Sequence, residues 1–279
     1  MGELTGCLNC GTPLQGAFCA ACGQRAVPPN PTVRELAGDA WQELSGYDGR
    51  IMSTIRGLLR PGFLTREYLA GRRAHYLPPL RVYLLVSVLY FVVAASAPTL
   101  PGQADGPGGL RVTIDDPVGP QMSDEERAQM RAELDDAPWY LRPMFRAILE
   151  DPAGFRQRIF SVSPRVFFAL LPVFAAIVTL FYRRRNFPTA LVFAVHLHAF
   201  AFIVFTLTAA LKFTGNAHLA ERVGAVIAVA FGVYALKSLR AVFGGGWPIT
   251  VAKALGIGVV YLVATMPAFV VIIFWASWT

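Results

Sequence analysis

Long uncharged runs dominate the pattern of apolar and polar positions along this chain. A membrane helix needs about 20 mostly apolar residues, because a rise of 1.5 Å per residue must cross about 30 Å of hydrocarbon. Four runs fit that description. Val82 to Ala104 carries no charge, and its helical part should stop before Pro98 and Pro101. Val166 to Tyr182 has 17 residues, with Arg165 placed to snorkel at its edge. Asn186 to Leu211 and Ala254 to Thr279 complete the set. A fifth run, Val223 to Leu236, has only 14 residues between Arg222 and Lys237, a length also seen in re-entrant or interfacial helices. We read it as a span, because both flanking cations can snorkel and extend it. Gly224, Ala228 and Gly232 recur there every four residues, a pattern that lets another helix approach closely.

Shorter amphipathic patterns fill the remainder. Pro28-Pro29-Asn30-Pro31 is a stiff connector, and Thr32 opens a helix with a capping box to Glu35 and a stripe of Leu36, Ala40, Trp41 and Leu44. Ile51, Ile55, Leu58 and Leu59 make a second stripe near Arg50, Arg56 and Arg60, and a third short helix should run from Thr65 to Gly71. Basic amphipathic segments just before a span are expected to lie in the membrane interface. Between the first two spans, Pro98 to Gln121 reads as a linker, Ser123 to Asp136 as a capped helix, and Trp139 to Phe160 as an amphipathic return to the membrane.

Composition agrees with this layout. Hydrophobic residues make up 54% of the 279 positions and charged residues only 15%, with a mean hydropathy of +0.47. Soluble domains carry about 25% charged residues, and disordered chains need low hydrophobicity, so both classes are excluded. The 25 basic residues against 18 acidic ones are distributed by topology. Arg183-Arg184-Arg185 fill a short link, Arg66, Arg72, Arg73 and Arg81 precede the first span, and Lys237, Arg240 and Lys253 lie between the fourth and fifth. With five spans all three clusters fall on one side, which the positive-inside rule assigns to the cytoplasm. The stretch from Pro98 to Ser163, with 11 acidic and seven basic residues, falls on the other. The N-terminus is then cytoplasmic and the C-terminus external, and no apolar stretch before residue 80 suggests a cleavable signal peptide.

All four cysteines lie near the start: Cys7 and Cys10, then Cys19 and Cys22. Two C-x-x-C pairs offer four thiolates to one tetrahedral Zn²⁺. Gly11 and Gly23 follow each pair, where a knuckle turn can require positive φ, and Phe18 could supply an apolar lid. Disulfides are disfavoured on the reducing side of the membrane, a redox C-x-x-C would need a thioredoxin-like context, and iron is the competing metal. Four thiolates leave no position for a catalytic water, so the zinc is structural. Nucleic acid is not expected as a partner, since the head has only Arg25 as a basic residue.

The run Cys7-x-x-Cys10-Gly11…Phe18-Cys19-x-x-Cys22-Gly23-Gln24-Arg25 resembles the head of an uncharacterised bacterial family of zinc-ribbon membrane proteins, a domain of unknown function. Pro61-Gly62-Phe63-Leu64-Thr65-Arg66-Glu67-Tyr68-Leu69-Ala70-Gly71-Arg72-Arg73…Tyr76-Leu77-Pro78-Pro79-Leu80-Arg81 is similar to the same family. The resemblance covers roughly the first 95 residues. It implies a bacterial inner-membrane protein and suggests no activity or catalytic residue.

The expected fold is an all-α polytopic membrane protein with about five transmembrane helices and a small N-terminal zinc ribbon. Its parts are a cytoplasmic zinc ribbon over 1–27, juxtamembrane amphipathic helices over 28–79, a first transmembrane helix over 80–98, an extracytoplasmic linker and helical loop over 99–163, and four further transmembrane helices over 164–279. Arg72, Arg73, His75 and Arg81 read first as positive-inside anchors, with lipid or partner docking the functional alternative. His196 and His198 are the ionisable residues that stand out in the strong spans. They lie two apart on a helix, point about 200° apart, and so cannot chelate one metal together unaided. Asp115-Asp116, Asp135-Asp136 and Glu150-Asp151 lack the regular ligand spacing of a Ca²⁺ loop. No nucleophile elbow or phosphate loop is present. The leading expectation is a non-enzymatic adaptor or scaffold in the lipid bilayer whose head binds a cytoplasmic protein. A small transporter or channel with His196 and His198 lining the path, which could assemble as a homo-oligomer, is the alternative, and a haem protein or intramembrane enzyme stands third.

Overall fold

The computed structural model describes residues 6–26, 50–98, 138, 142–150 and 152–278. The helices expected from Thr32 and from Ser123, and the pairs Asp115-Asp116 and Asp135-Asp136, lie outside the described residues.

Among the described residues the protein is all-helical. In chain order the helices are α1 (Ile51–Leu58), α2 (Phe63–Leu69), α3 (Pro79–Ser96), α4 (Arg142–Glu150), α5 (Pro152–Phe181), α6 (Phe187–Leu211), α7 (Ala217–Phe243) and α8 (Trp247–Trp278). Five of these, α3 and α5 to α8, contain segments long and apolar enough to cross a membrane. The short fourth run is one of them. Its helix extends through Arg222 and Lys237 to 27 residues, because a polar side chain on an apolar helix interrupts the hydrophobic run without breaking the backbone hydrogen bonds.

Local chemistry sets the helix ends. Pro79 occupies the first position of α3, where its missing N–H costs nothing. Asn186 caps α6 by accepting the Thr189 N–H at 3.2 Å, and Asn216 caps α7 by accepting the Leu219 N–H at 3.0 Å. Gly244-Gly245-Gly246 separates α7 from α8. The second span starts earlier than its uncharged run indicates: α5 begins at Pro152, so Arg158 and Arg165 lie within the helix.

Of the long helices, α6 is the most enclosed. Its most apolar window is 61% buried inside the protein, against 17% for α7 and for α8. Contacts divide the chain into two compact units. The first comprises Met1–Leu89, Leu171–Val204 and Ile227–Tyr261. It holds the cysteine head, α1, α2 and an aromatic core in which Tyr83 meets Phe202 edge-on at 5.4 Å and Phe200 stacks on Tyr234 at 3.6 Å. The second comprises Tyr90–Leu170, Phe205–Val226 and Leu262–Thr279. There Tyr90 packs on Phe205, and Arg158 Nε donates to the Ala276 carbonyl at 2.9 Å.

Within the juxtamembrane segment the chain turns back on itself between 51 and 69. α1 and α2 form a tight hairpin packed against α6 and α7. Leu58 and Thr65, each 1% exposed, point into the protein from either side of its turn. The apolar stripe read from the sequence is therefore split: Leu58 faces inward, whereas Ile51, Ile55 and Leu59 face out.

Candidate metal centre

Each C-x-x-C pair folds as a knuckle closed by a two-residue bridge, Gly6 with Pro13 and Phe18 with Arg25. The two knuckles repeat at a spacing of 12 residues. Cys7 N–H donates to the Thr12 carbonyl and Cys19 N–H to the Gln24 carbonyl, both at 2.8 Å. Gly11 and Gly23 turn back onto the Cys7 and Cys19 carbonyls with φ of +78° and +69°, a backbone that favours glycine.

This pairing brings the four sulfurs within 4.8 Å of one another. Cys7 and Cys22 are 3.5 Å apart, as are Cys10 and Cys19. A tetrahedral metal with bonds of about 2.3 Å to sulfur needs sulfur–sulfur edges of about 3.8 Å. The sulfur separations lie within about 1 Å of those edges, so these four residues could hold a metal. Their protonation points the same way. The Cys10 backbone N–H holds the Cys7 thiol below its usual range, and the Thr12 hydroxyl 3.3 Å from Cys10 Sγ brings that thiol down to about 6. Cys22 moves up to about 11: the Gln24 N–H lowers it, but burial and the Cys7 and Cys10 sulfurs outweigh that effect. Four crowded sulfurs cannot all ionise by themselves, and a divalent cation removes the conflict.

The head is fastened to the hairpin's exit. Gln24, buried next to the second knuckle, donates from Nε2 to the Gly71 carbonyl at 2.5 Å and accepts from the Arg73 and Ala74 N–H groups at 2.9 and 3.0 Å. Leu8 packs against Gly71, where a Cβ would stand only 2.5 Å from its Cδ1. The Asn9 amide is 3.4 Å from His75 Nε2. The hairpin in turn is bonded to the spans. Tyr234 donates its hydroxyl to the Leu58 carbonyl at 2.6 Å, satisfying a helix-end acceptor of α1, and Thr65 Oγ1 is 3.0 Å from His196 Nδ1.

The sequence-derived candidates thus have defined places. Arg72 forms a bidentate pair with Glu67, which keeps that carboxyl below the usual carboxylate range. Arg73 lies 4.1 Å over the Tyr68 ring. His75 meets Asn9, and Arg81 is half-buried at the start of α3. His196 and His198 belong to different contacts. The first meets the hairpin; the second places Nδ1 2.8 Å from the Ala194 carbonyl and Nε2 3.0 Å from the Tyr261 hydroxyl. Phe18 is not a lid. It is 63% exposed, because the bridge to Arg25 directs it away from the sulfurs. The pairings of Gln24, Thr65, Tyr234 and Tyr261 carried no sequence signal, since their partners lie 47 to 176 positions away.

Among known proteins, a family model described as "Protein of unknown function (DUF3667)" matches residues 48–91. That stretch holds α1, α2 and the first two-thirds of α3. No curated protein and no solved structure matches the chain.

Proposed function

We propose that this chain is a non-enzymatic adaptor of the bacterial inner membrane, with a zinc-bound head of the ribbon type that recognises a cytoplasmic protein. Zn²⁺ is favoured because the donor set is four clustered thiolates, which closes a tetrahedral coordination sphere and reserves the ion for holding the fold. When bound, the metal supplies the cross-link that a head this small lacks. The basic links favour a cytoplasmic head and an external C-terminus. The observation that carries the reading is the two-sidedness of the head. One side is committed to the chain's own 71–75 loop through Gln24, Leu8 and Asn9, while the other turns Phe18, Ala17, Ala20 and Ala21 to solvent. An exposed aromatic on a rigid knuckle is a suitable interface anchor.

The test is crosslinking in native membranes of wild type, Cys7→Ser and Phe18→Ser at equal levels of insertion, with the metal content of each purified protein measured. We expect one zinc per chain in wild type and in Phe18→Ser, with a cytoplasmic protein captured by wild type alone. The same partners on wild type and Phe18→Ser would reject the adaptor reading. The transporter alternative draws less support, because His196 and His198 have hydrogen-bond partners within the chain.

A further inference from the structure

We infer that the outer face of α1 is a docking surface for anionic phospholipid, with Arg56 and Arg60 as the headgroup contacts. Three arcs divide this helix. Thr54, Gly57 and Leu58 are buried against the protein. Ile51, Ile55, Leu59 and Met52 fall within an arc of about 100° on the next side. They are 38%, 40%, 56% and 56% exposed, which is unusual for four large apolar side chains on eight or nine consecutive residues. Arg56 and Arg60 occupy the third arc, both exposed. A helix on a water-facing surface would carry polar residues opposite its buried face; this one carries a second apolar stripe edged by cations, the pattern of a helix set at a membrane surface.

The bilayer is the occupant that the surroundings select. Tyr234 holds the Leu58 carbonyl of α1 and His196 meets Thr65 of α2, both from membrane-length helices, so α1 sits against the spans while its apolar stripe is left exposed. Charge selects the kind of lipid. Between 50 and 81 there are seven arginines and one carboxylate, Glu67, and that carboxylate is engaged by Arg72. Arg56, Arg60 and Arg66 are exposed on a segment with no other acid. A guanidinium offers two parallel donors to a phosphate, whereas a zwitterionic headgroup adds a repelling cation.

The experiment titrates the full-length protein in mixed micelles with phosphatidylglycerol or phosphatidylcholine and reads bound lipid by native mass spectrometry. Wild type is expected to prefer phosphatidylglycerol by roughly tenfold. Arg56→Gln/Arg60→Gln should bring that preference to near unity, and Arg183→Gln/Arg184→Gln, on another basic link, should leave it intact. Wild type at 0.5 M salt, where exposed charges are screened within about 4 Å, should lose the preference without any substitution. Equal binding of both lipids by wild type, a preference that survives Arg56→Gln/Arg60→Gln or high salt, or an equal fall in both double variants would each overturn the assignment.

Discussion

At the scale of single residues, Gln24 does the most with the least. Its position next to Cys22 and Gly23 is fixed by the second knuckle, so its amide is presented to the 71–74 loop at low entropic cost. One side chain satisfies a carbonyl and two N–H groups. Gln24→Ala leaves these groups short of partners, at a cost of about 1–3 kcal/mol. We expect amide exchange at Arg73 and Ala74 to accelerate at least tenfold while the metal content is unchanged. Unaltered exchange there would mean that the loop holds its shape without the head.

At the scale of elements, the hairpin depends on how closely its turn approaches α7. Gly62, at φ +69°, starts α2 from a left-handed conformation. A Cβ on it would lie 3.0 Å from the Ala241 Cβ, 3.1 Å from the Ser238 carbonyl oxygen and 3.2 Å from Val242 Cγ2. Two of these three contacts are backbone or a methyl fixed to it, so relief requires the helix to move. Gly62→Ala therefore adds a packing cost to a backbone cost of about 1–2 kcal/mol. Gly215 has nearly the same φ, +71°, but a Cβ there would have open space around it to 4 Å, so Gly215→Ala should incur the backbone cost alone. Thermal unfolding in detergent should show the larger loss for Gly62→Ala, with faster exchange across α1 and α2. Equal losses for the two variants would refute the close approach as the cause.

At the scale of the whole molecule, the head and the spans draw stability from different sources. The head has two knuckles and little apolar core, so a metal held by its four sulfurs would supply its order, worth about 10–16 kcal/mol in comparable zinc peptides. The five long helices satisfy their backbone hydrogen bonds internally and need no metal. A strong chelator should accordingly raise amide exchange over 6–26 and 71–75 while leaving far-UV circular dichroism nearly unchanged. A large loss of helix on chelation would show that the spans depend on the head.

The sequence by itself determined the five spans and the four-sulfur cluster. Each is a local property: a run of apolar residues long enough to cross a bilayer, or two cysteines at a turn's spacing. It could also place positive φ at Gly11 and Gly23, because the knuckle imposes it within five residues. Only the tertiary structure decided that Leu58 turns inward and Ile55 outward, that Phe18 faces solvent, and which partners meet Gln24, His196 and His198. Phe18 apart, these outcomes depend on contacts between segments 47 to 176 residues apart, and a helical period shows which residues share a face without showing what that face meets. In a membrane protein the ambiguity is sharper than in a soluble one, since lipid and protein interior reward the same apolar side chains.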